Sequence, residues 1–148
     1  RRTAEEMPPQ VQLALGVFTK PLEQPYRRVA RRTWMTQRGV CPLQHGQQVG
    51  CSVYTTFVIG ARGNGRLRGS VQKRLNLEIA GDPRQEEGML VLNVTENVND
   101  GKTFVYFRTI MEDYPWVTHV AKCDIDTYPA LHKLIHRVNQ QSLCEGSP

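Results

Sequence analysis

The sequence contains no run approaching the roughly 18 consecutive apolar residues that a membrane helix needs. Its first residues, Arg1-Arg2-Thr3-Ala4-Glu5-Glu6, also lack the apolar centre of a signal peptide, so a membrane anchor is expected outside this chain. Among its four cysteines, Cys41, Cys51, Cys123 and Cys144, there is no C-x-x-C pair, which argues against a zinc knuckle. An even count permits two disulfides and requires none. The arginine-glycine loop Arg62-Gly63-Asn64-Gly65-Arg66-Leu67-Arg68-Gly69 lacks the Gly-Lys-Ser/Thr ending of a P-loop. Acids are scarce in one half only: residues 1–74 hold 3 Asp or Glu against 13 Lys or Arg, and residues 75–148 hold 11 against 6.

What is present is globular. The chain has 148 residues, 39% hydrophobic and 22% charged, enough for one domain with a core and too short for two. Its net charge of +5 is concentrated in two clusters, Arg27, Arg28, Arg31 and Arg32, then Arg62, Arg66, Arg68, Lys73 and Arg74. Such clusters suit a polyanion, either a nucleotide diphosphate or a nucleic acid, and otherwise make a solvated surface. The start at Arg1 and the end at Gly146-Ser147-Pro148 read as those of a segment of a longer chain.

Apolar periodicity sets the organisation. After a polar lead over residues 1–10, the run from Val11 to Phe18 predicts a buried strand. Residues 27–36 contain neither Pro nor Gly and predict a helix with Val29, Ala30, Thr33 and Trp34 inward and its arginines outward. Residues 51–60, rich in β-branched and aromatic side chains, predict a second strand, and Ser70 caps an expected helix reaching Ala80. Met89-Leu90-Val91-Leu92 predicts a third strand. Asn99-Asp100-Gly101 predicts a turn into a helix over 102–114, with Phe104, Phe107, Ile110 and Met111 as its stripe. A fourth strand over 117–123 leads into Asp124-Ile125-Asp126, and a last helix is expected from Thr127 or Tyr128 to Gln141, with Pro129 in its first turn. Four βα units imply right-handed crossovers and an α/β fold with a Rossmann-like, largely parallel sheet over residues 11–141, followed by a tail over 142–148.

In an open parallel sheet, ligands collect beyond the carboxyl ends of the strands. Asp124 and Asp126 are expected at such an end, and strand alternation would put both carboxylates on one face with Ile125 against the core. A close carboxylate pair calls for a divalent cation, Mg²⁺ or Mn²⁺, which can in turn hold a diphosphate. The plain alternative is a structural turn or helix cap. His132 and His136 stand four apart on a helix without the glutamate of a metalloprotease, so a surface pair is expected. Trp34 and Trp116 are expected to be packing anchors. Asn93-Val94-Thr95 is a glycan acceptor if the chain enters the secretory pathway.

The series Arg27-Arg28-Val29-Ala30-Arg31-Arg32-Thr33-Trp34, Phe57-Val58-Ile59-Gly60, Leu75 to Glu78, Lys102-Thr103, Trp116 and Ala121-Lys122-Cys123-Asp124-Ile125-Asp126 resembles, in order and spacing, glycosyltransferase family 31. These are the β-1,3-galactosyl- and N-acetylglucosaminyltransferases, and the short insertions resemble the phosphoglycan β-1,3-galactosyltransferase branch. The family reads R-x-A-I-R-x-T-W in its first helix, matched by Arg27, Arg31, Thr33 and Trp34, and K-x-D-D-D at its metal site, matched by Lys122, Asp124 and Asp126. The middle aspartate of that motif is Ile125 here.

The resemblance implies the nucleotide-sugar half of a glycosyltransferase-A fold in the Golgi lumen. It implies a UDP-galactose or UDP-N-acetylglucosamine donor, a glycan acceptor and Mn²⁺ or Mg²⁺. By carry-over, Asp126 is the direct metal ligand, Asp124 contacts metal and ribose or sugar, and Lys122, Arg27 and Arg31 lie on the donor. The family draws its base from a second half after the metal motif, so the base is unassigned and this chain is expected to bind donor and transfer little. Two other readings remain open: a basic nucleic-acid-binding module, and a catalytically incomplete transferase.

Overall fold

A computed structural model describes residues 7–65, 80–96 and 99–145. The helix expected from Ser70 and most of the second basic cluster lie outside them. The described residues form an α/β fold of five strands and three α-helices, with every strand pair parallel. The strands are β1 (Leu13–Phe18), β2 (Val40–Pro42), β3 (Val53–Arg62), β4 (Met89–Thr95) and β5 (His119–Asp124). The helices are α1 (Gln24–Arg32), α2 (Asn99–Asp113) and α3 (Leu131–Glu145). β1 lies between β3 and β5, while β2 and β4 share the other edge of β3, β2 against Val53 to Thr55 and β4 against Phe57 to Arg62.

The strands at the centre are buried on both faces, which is why they read as continuous apolar runs. Alternation splits them between two cores. On one face Leu13, Leu15, Val17, Val53 and Phe57 pack with Ala30 and Trp34 from the α1 region and with Leu131 and Ile135 of α3. On the other, Ala14, Tyr54 and Val58 pack with Tyr106 and Ile110 of α2. Gly16 makes the second packing possible, because a Cβ there would stand 2.5 Å from the Tyr106 ring. The Tyr106 hydroxyl crosses β1 to donate to the Ala121 carbonyl at 2.8 Å. Trp34 is buried, and Trp116 stacks edge-on against Tyr54 at 4.7 Å, so both tryptophans are the anchors expected of them.

Five features differ from the sequence reading. β2 is a fifth strand, only three residues long and ending in proline, too short to register as an apolar run. α1 begins at Gln24, with Pro25 in its first turn, and stops at Arg32, and Trp34–Thr36 is a separate 3-10 turn. The inward residues of α1 are Gln24, Arg27 and Ala30, while Val29 is 58% exposed. In α2 the residues Asn99-Asp100-Gly101 belong to the helix, and its buried positions are Lys102, Tyr106 and Ile110, leaving Phe104 and Met111 exposed. α3 starts four residues after Thr127, at Leu131, because the chain turns at Ile125-Asp126 before the helix, and it continues past Gln141 to Glu145.

Candidate functional site

The carboxyl ends of β1 and β5 meet at Phe18 and Asp124, which are partners in the parallel register. β5 ends at Asp124. The Ile125 N–H then donates to the Phe18 carbonyl at 3.1 Å and the Thr127 N–H to the Asp124 carbonyl at 3.0 Å. A tight turn, and not three residues of strand, therefore presents Asp126. Both aspartates are exposed, and Ile125 packs against the core shared by α1 and α3. The pair lies close enough to Cys123 to act on its thiol, which burial, then Asp124 and Asp126, push up to about 11.

Lys122, two residues before Asp124, shares its side of the strand. Its ammonium stands 4.8 Å from the centre of the Phe18 ring and 3.4 Å from the Thr103 hydroxyl of α2. A second lysine approaches the same ring: Lys102 Nζ lies 5.2 Å from its centre. This lysine is buried. It donates to the Thr19 carbonyl at 3.0 Å and to both oxygens of Glu96 at 3.1 and 3.0 Å. Glu96 also accepts from the backbone N–H of Gly60, where a Cβ would stand 2.7 Å from the Val94 carbonyl. Burial lowers the pKa of Lys102, with Glu96 opposing that shift. The ends of β1, β3 and β4 and the first turn of α2 are thus joined through one ion pair.

Arg27 stands at the end of β1, as the resemblance implies, but it is turned inward where the helical pattern puts the arginines outward. Arg27 lies behind the end of β1, with 0% of its side chain exposed. All five of its N–H donors are used: Nε and Nη2 on Glu86, Nη1 on the Thr19 hydroxyl and the Lys20 carbonyl, and Nη2 also on the Pro21 carbonyl. No donor is left for a diphosphate. Arg31 donates to Glu86 and to the Glu87 carbonyl, both at 2.9 Å, and its guanidinium covers the Phe57 ring at 4.6 Å. Burial alone would raise the Glu86 carboxyl, but hydrogen bonds from Arg27, Gln24 and Arg31 overcome it and hold the group at about 2. The first basic cluster is therefore split: Arg27 is sealed inside with its donors engaged, Arg31 is partly exposed, and Arg28 and Arg32 are exposed.

Sequence reasoning missed Glu86 and Glu96 altogether. Neither stands in a motif, and the only local signal is the near-complete burial of their basic partners, which a sequence does not display. Lys102 belonged to the family resemblance without a stated role. Glu112 and Asp113 lie at the end of α2 remote from Lys102, and Glu112 pairs with Arg108 at 3.0 Å. His132 and His136 are both partly exposed on α3. Among the described residues no group of three or more His, Cys, Asp or Glu side chains is gathered where it could hold a metal ion. Cys41 and Cys51 form a disulfide that ties β2 to the segment before β3, and Cys123 is a free thiol.

No protein-family model, curated protein or solved structure matches the chain.

Proposed function

We propose that this chain is the donor-binding part of an inverting, metal-dependent β-1,3-hexosyltransferase, built on the Rossmann-like nucleotide-sugar half of a glycosyltransferase-A fold. The donor is UDP-galactose or UDP-N-acetylglucosamine, and the acceptor is a glycan hydroxyl. One observation carries the reading: two exposed carboxylates, Asp124 and Asp126, leave the end of β5 beside the end of β1, where a parallel sheet gathers its ligands. The similarity in order and spacing between residues 27–126 and family 31 supports the choice of substrate.

The two carboxylates fit a hard divalent cation that prefers oxygen and keeps several water or phosphate ligands. Asp126 would hold Mn²⁺ or Mg²⁺ and Asp124 would share it or hold the ribose. When bound, the ion neutralises charge on the departing diphosphate. Lys122 sets a positive charge on the same side of β5 as Asp124 and adds to that neutralisation. Arg27 and Arg31 brace α1 against residues 80–88 through Glu86; Arg27 has no donor left for the diphosphate, and the partly exposed Arg31 stays with the donor-binding reading. The buried Lys102–Glu96 pair keeps the surrounding strand ends in register. Base catalysis on the acceptor hydroxyl is left unassigned: Glu112 and Asp113, the carboxylates of α2 that could in principle take its proton, lie at the end of that helix remote from Asp124's neighbour Lys122 and its contact Thr103.

A luminal Golgi location is part of the same proposal. The Cys41–Cys51 disulfide supports it, because such bonds persist in oxidising compartments. No helix among the described residues is long and apolar enough to cross a membrane. A nucleic-acid module is less well supported, because Arg27 is sealed inside the protein and Arg31 is tied to Glu86.

Titration calorimetry with UDP tests the reading. Binding is expected with Mn²⁺, and it should vanish in chelator and in Asp126→Ala. Equal binding in chelator would refute the metal role, and binding of a polynucleotide that weakens steeply from low to physiological salt would favour the nucleic-acid alternative.

A further inference from the structure

The sequon Asn93-Val94-Thr95 lies within β4, and the pleat of that strand decides its accessibility. Leu92 and Val94 are buried in the core beneath α2, whereas Val91 and Asn93 are exposed on the other side. Asn93 accepts a hydrogen bond through Oδ1 from Arg62 Nη1 at 2.8 Å. Its amide nitrogen makes no hydrogen bond among the described residues. This is the atom through which a glycan is joined, and the bond to Arg62 survives the modification because it uses the oxygen.

β4 also has a reason to need a cover. Among the described residues it pairs with β3 alone, so its other edge is unpaired, and Val91 on the face of Asn93 is 42% exposed. An unpaired strand edge with apolar side chains is a template for pairing between molecules unless charge, proline or bulk blocks it. Met89-Leu90-Val91-Leu92 carries no charge and no proline.

We propose that Asn93 is an N-glycan acceptor and that its glycan guards the free edge of β4. The co-reactant is a lipid-diphosphate-linked oligosaccharide of the secretory pathway. The Asn93 amide nitrogen bonds to the anomeric carbon, and the anomeric C–O bond to the diphosphate breaks. The lipid diphosphate leaves with that electron pair, and one amide proton passes to a base of the transferring enzyme. The glycan then stands in water on the face away from α2, as a bulky surface modification must. The inference rests on the luminal part of the function proposed above and not on sugar transfer by this chain.

The test is secretion of the full chain behind a eukaryotic secretion signal, followed by intact mass and peptide mapping before and after amidase treatment. The expected result is a carbohydrate mass increment on the peptide containing Asn93. It should be lost in Asn93→Gln and in Thr95→Ala and kept in Thr95→Ser. Secreted protein with an oxidised Cys41–Cys51 bond and an unmodified Asn93 would overturn the site and leave the transferase reading standing. A glycosylated chain that fails to bind UDP would do the reverse. For the guarding role, amidase-treated protein should begin to scatter light at a lower temperature than untreated protein, with the melting transition by circular dichroism unchanged. Coincident scattering curves would remove that role.

Discussion

Arg27 and Glu86, 59 residues apart in sequence, meet in a two-pronged ion pair, Nη2 to Oε1 at 2.7 Å and Nε to Oε2 at 2.9 Å. The pair makes Arg27 of the first basic cluster an internal brace. It fastens α1 to the segment entering β4, and through the Thr19, Lys20 and Pro21 contacts it fixes the chain leaving β1.

Removing Arg27 leaves the largely buried Glu86 carboxylate with only Arg31 and Gln24 and takes away the donor to Thr19, Lys20 and Pro21. Arg27→Ala is therefore expected to destabilise the protein by about 3–5 kcal/mol, far more than Arg28→Ala, whose parent side chain is exposed. Urea unfolding followed by circular dichroism measures the difference. Equal midpoints for the two variants would mean that Arg27 does not act as a brace.

The same carboxylate gives the fold an acid limit. Glu86 has a pKa of about 2 in the folded protein against 4.5 as the reference for the open chain. Its contribution is therefore fully present above about pH 4.5 and is lost as pH falls toward 2, on the order of 3 kcal/mol. Glu23 works in the opposite sense. Burial raises its pKa, so protonating it as pH falls relieves a penalty that the folded state carries at neutral pH. Unfolding free energy measured from pH 6 to 2 should fall steeply in the wild type and much less in Glu86→Gln. An unchanged slope in that variant would assign the acid limit to another group.

The Lys102–Glu96 pair makes a second, separable prediction. Glu96 has 2% of its side chain exposed, so Lys102→Met strands a buried carboxylate and is expected to cost about 3–5 kcal/mol. Adding Glu96→Gln to Lys102→Met should recover part of that loss, since the stranded charge is gone. Thermal melts of the two single variants and the double variant form the cycle. A double variant no better than Lys102→Met would show that packing, and not charge, dominates at this position.

Cysteine chemistry should separate cleanly along the chain. Cys41→Ser with Cys51→Ser is expected to destabilise by about 2–4 kcal/mol, because the tie between β2 and the segment before β3 is lost. Cys123, with its thiol pushed up to about 11 by burial and by the two aspartates, should alkylate slowly at pH 8 and faster as pH rises toward 11. Peptide mapping after timed iodoacetamide treatment follows both sites. Rapid labelling of Cys123 at neutral pH would contradict its partly buried, acid-flanked environment.

The parallel α/β class, the strands β1 and β3 and the helices behind them were legible because each is a local pattern. A run of apolar residues buries as a central strand wherever it falls, whereas for α1 and α2 the local pattern marks the helix but not the face that it buries. The position of Asp124 and Asp126 at a strand end was legible for the same reason. What tertiary structure decided was every feature that needs a distant partner. α1 turned Arg27 inward and Val29 outward because burying a guanidinium is tolerable only against a carboxylate, and that carboxylate, Glu86, lies on the far side of β3 in sequence. Lys102 is buried because Glu96, Thr19 and Gly60 come together around it. Cys41 found Cys51, and not Cys123 or Cys144, because the three residues of β2 pair in parallel beside the start of β3. A local pattern fixes which elements form. The energy of desolvating a charge or closing a disulfide depends on what stands opposite in space, and no periodicity along the chain records that.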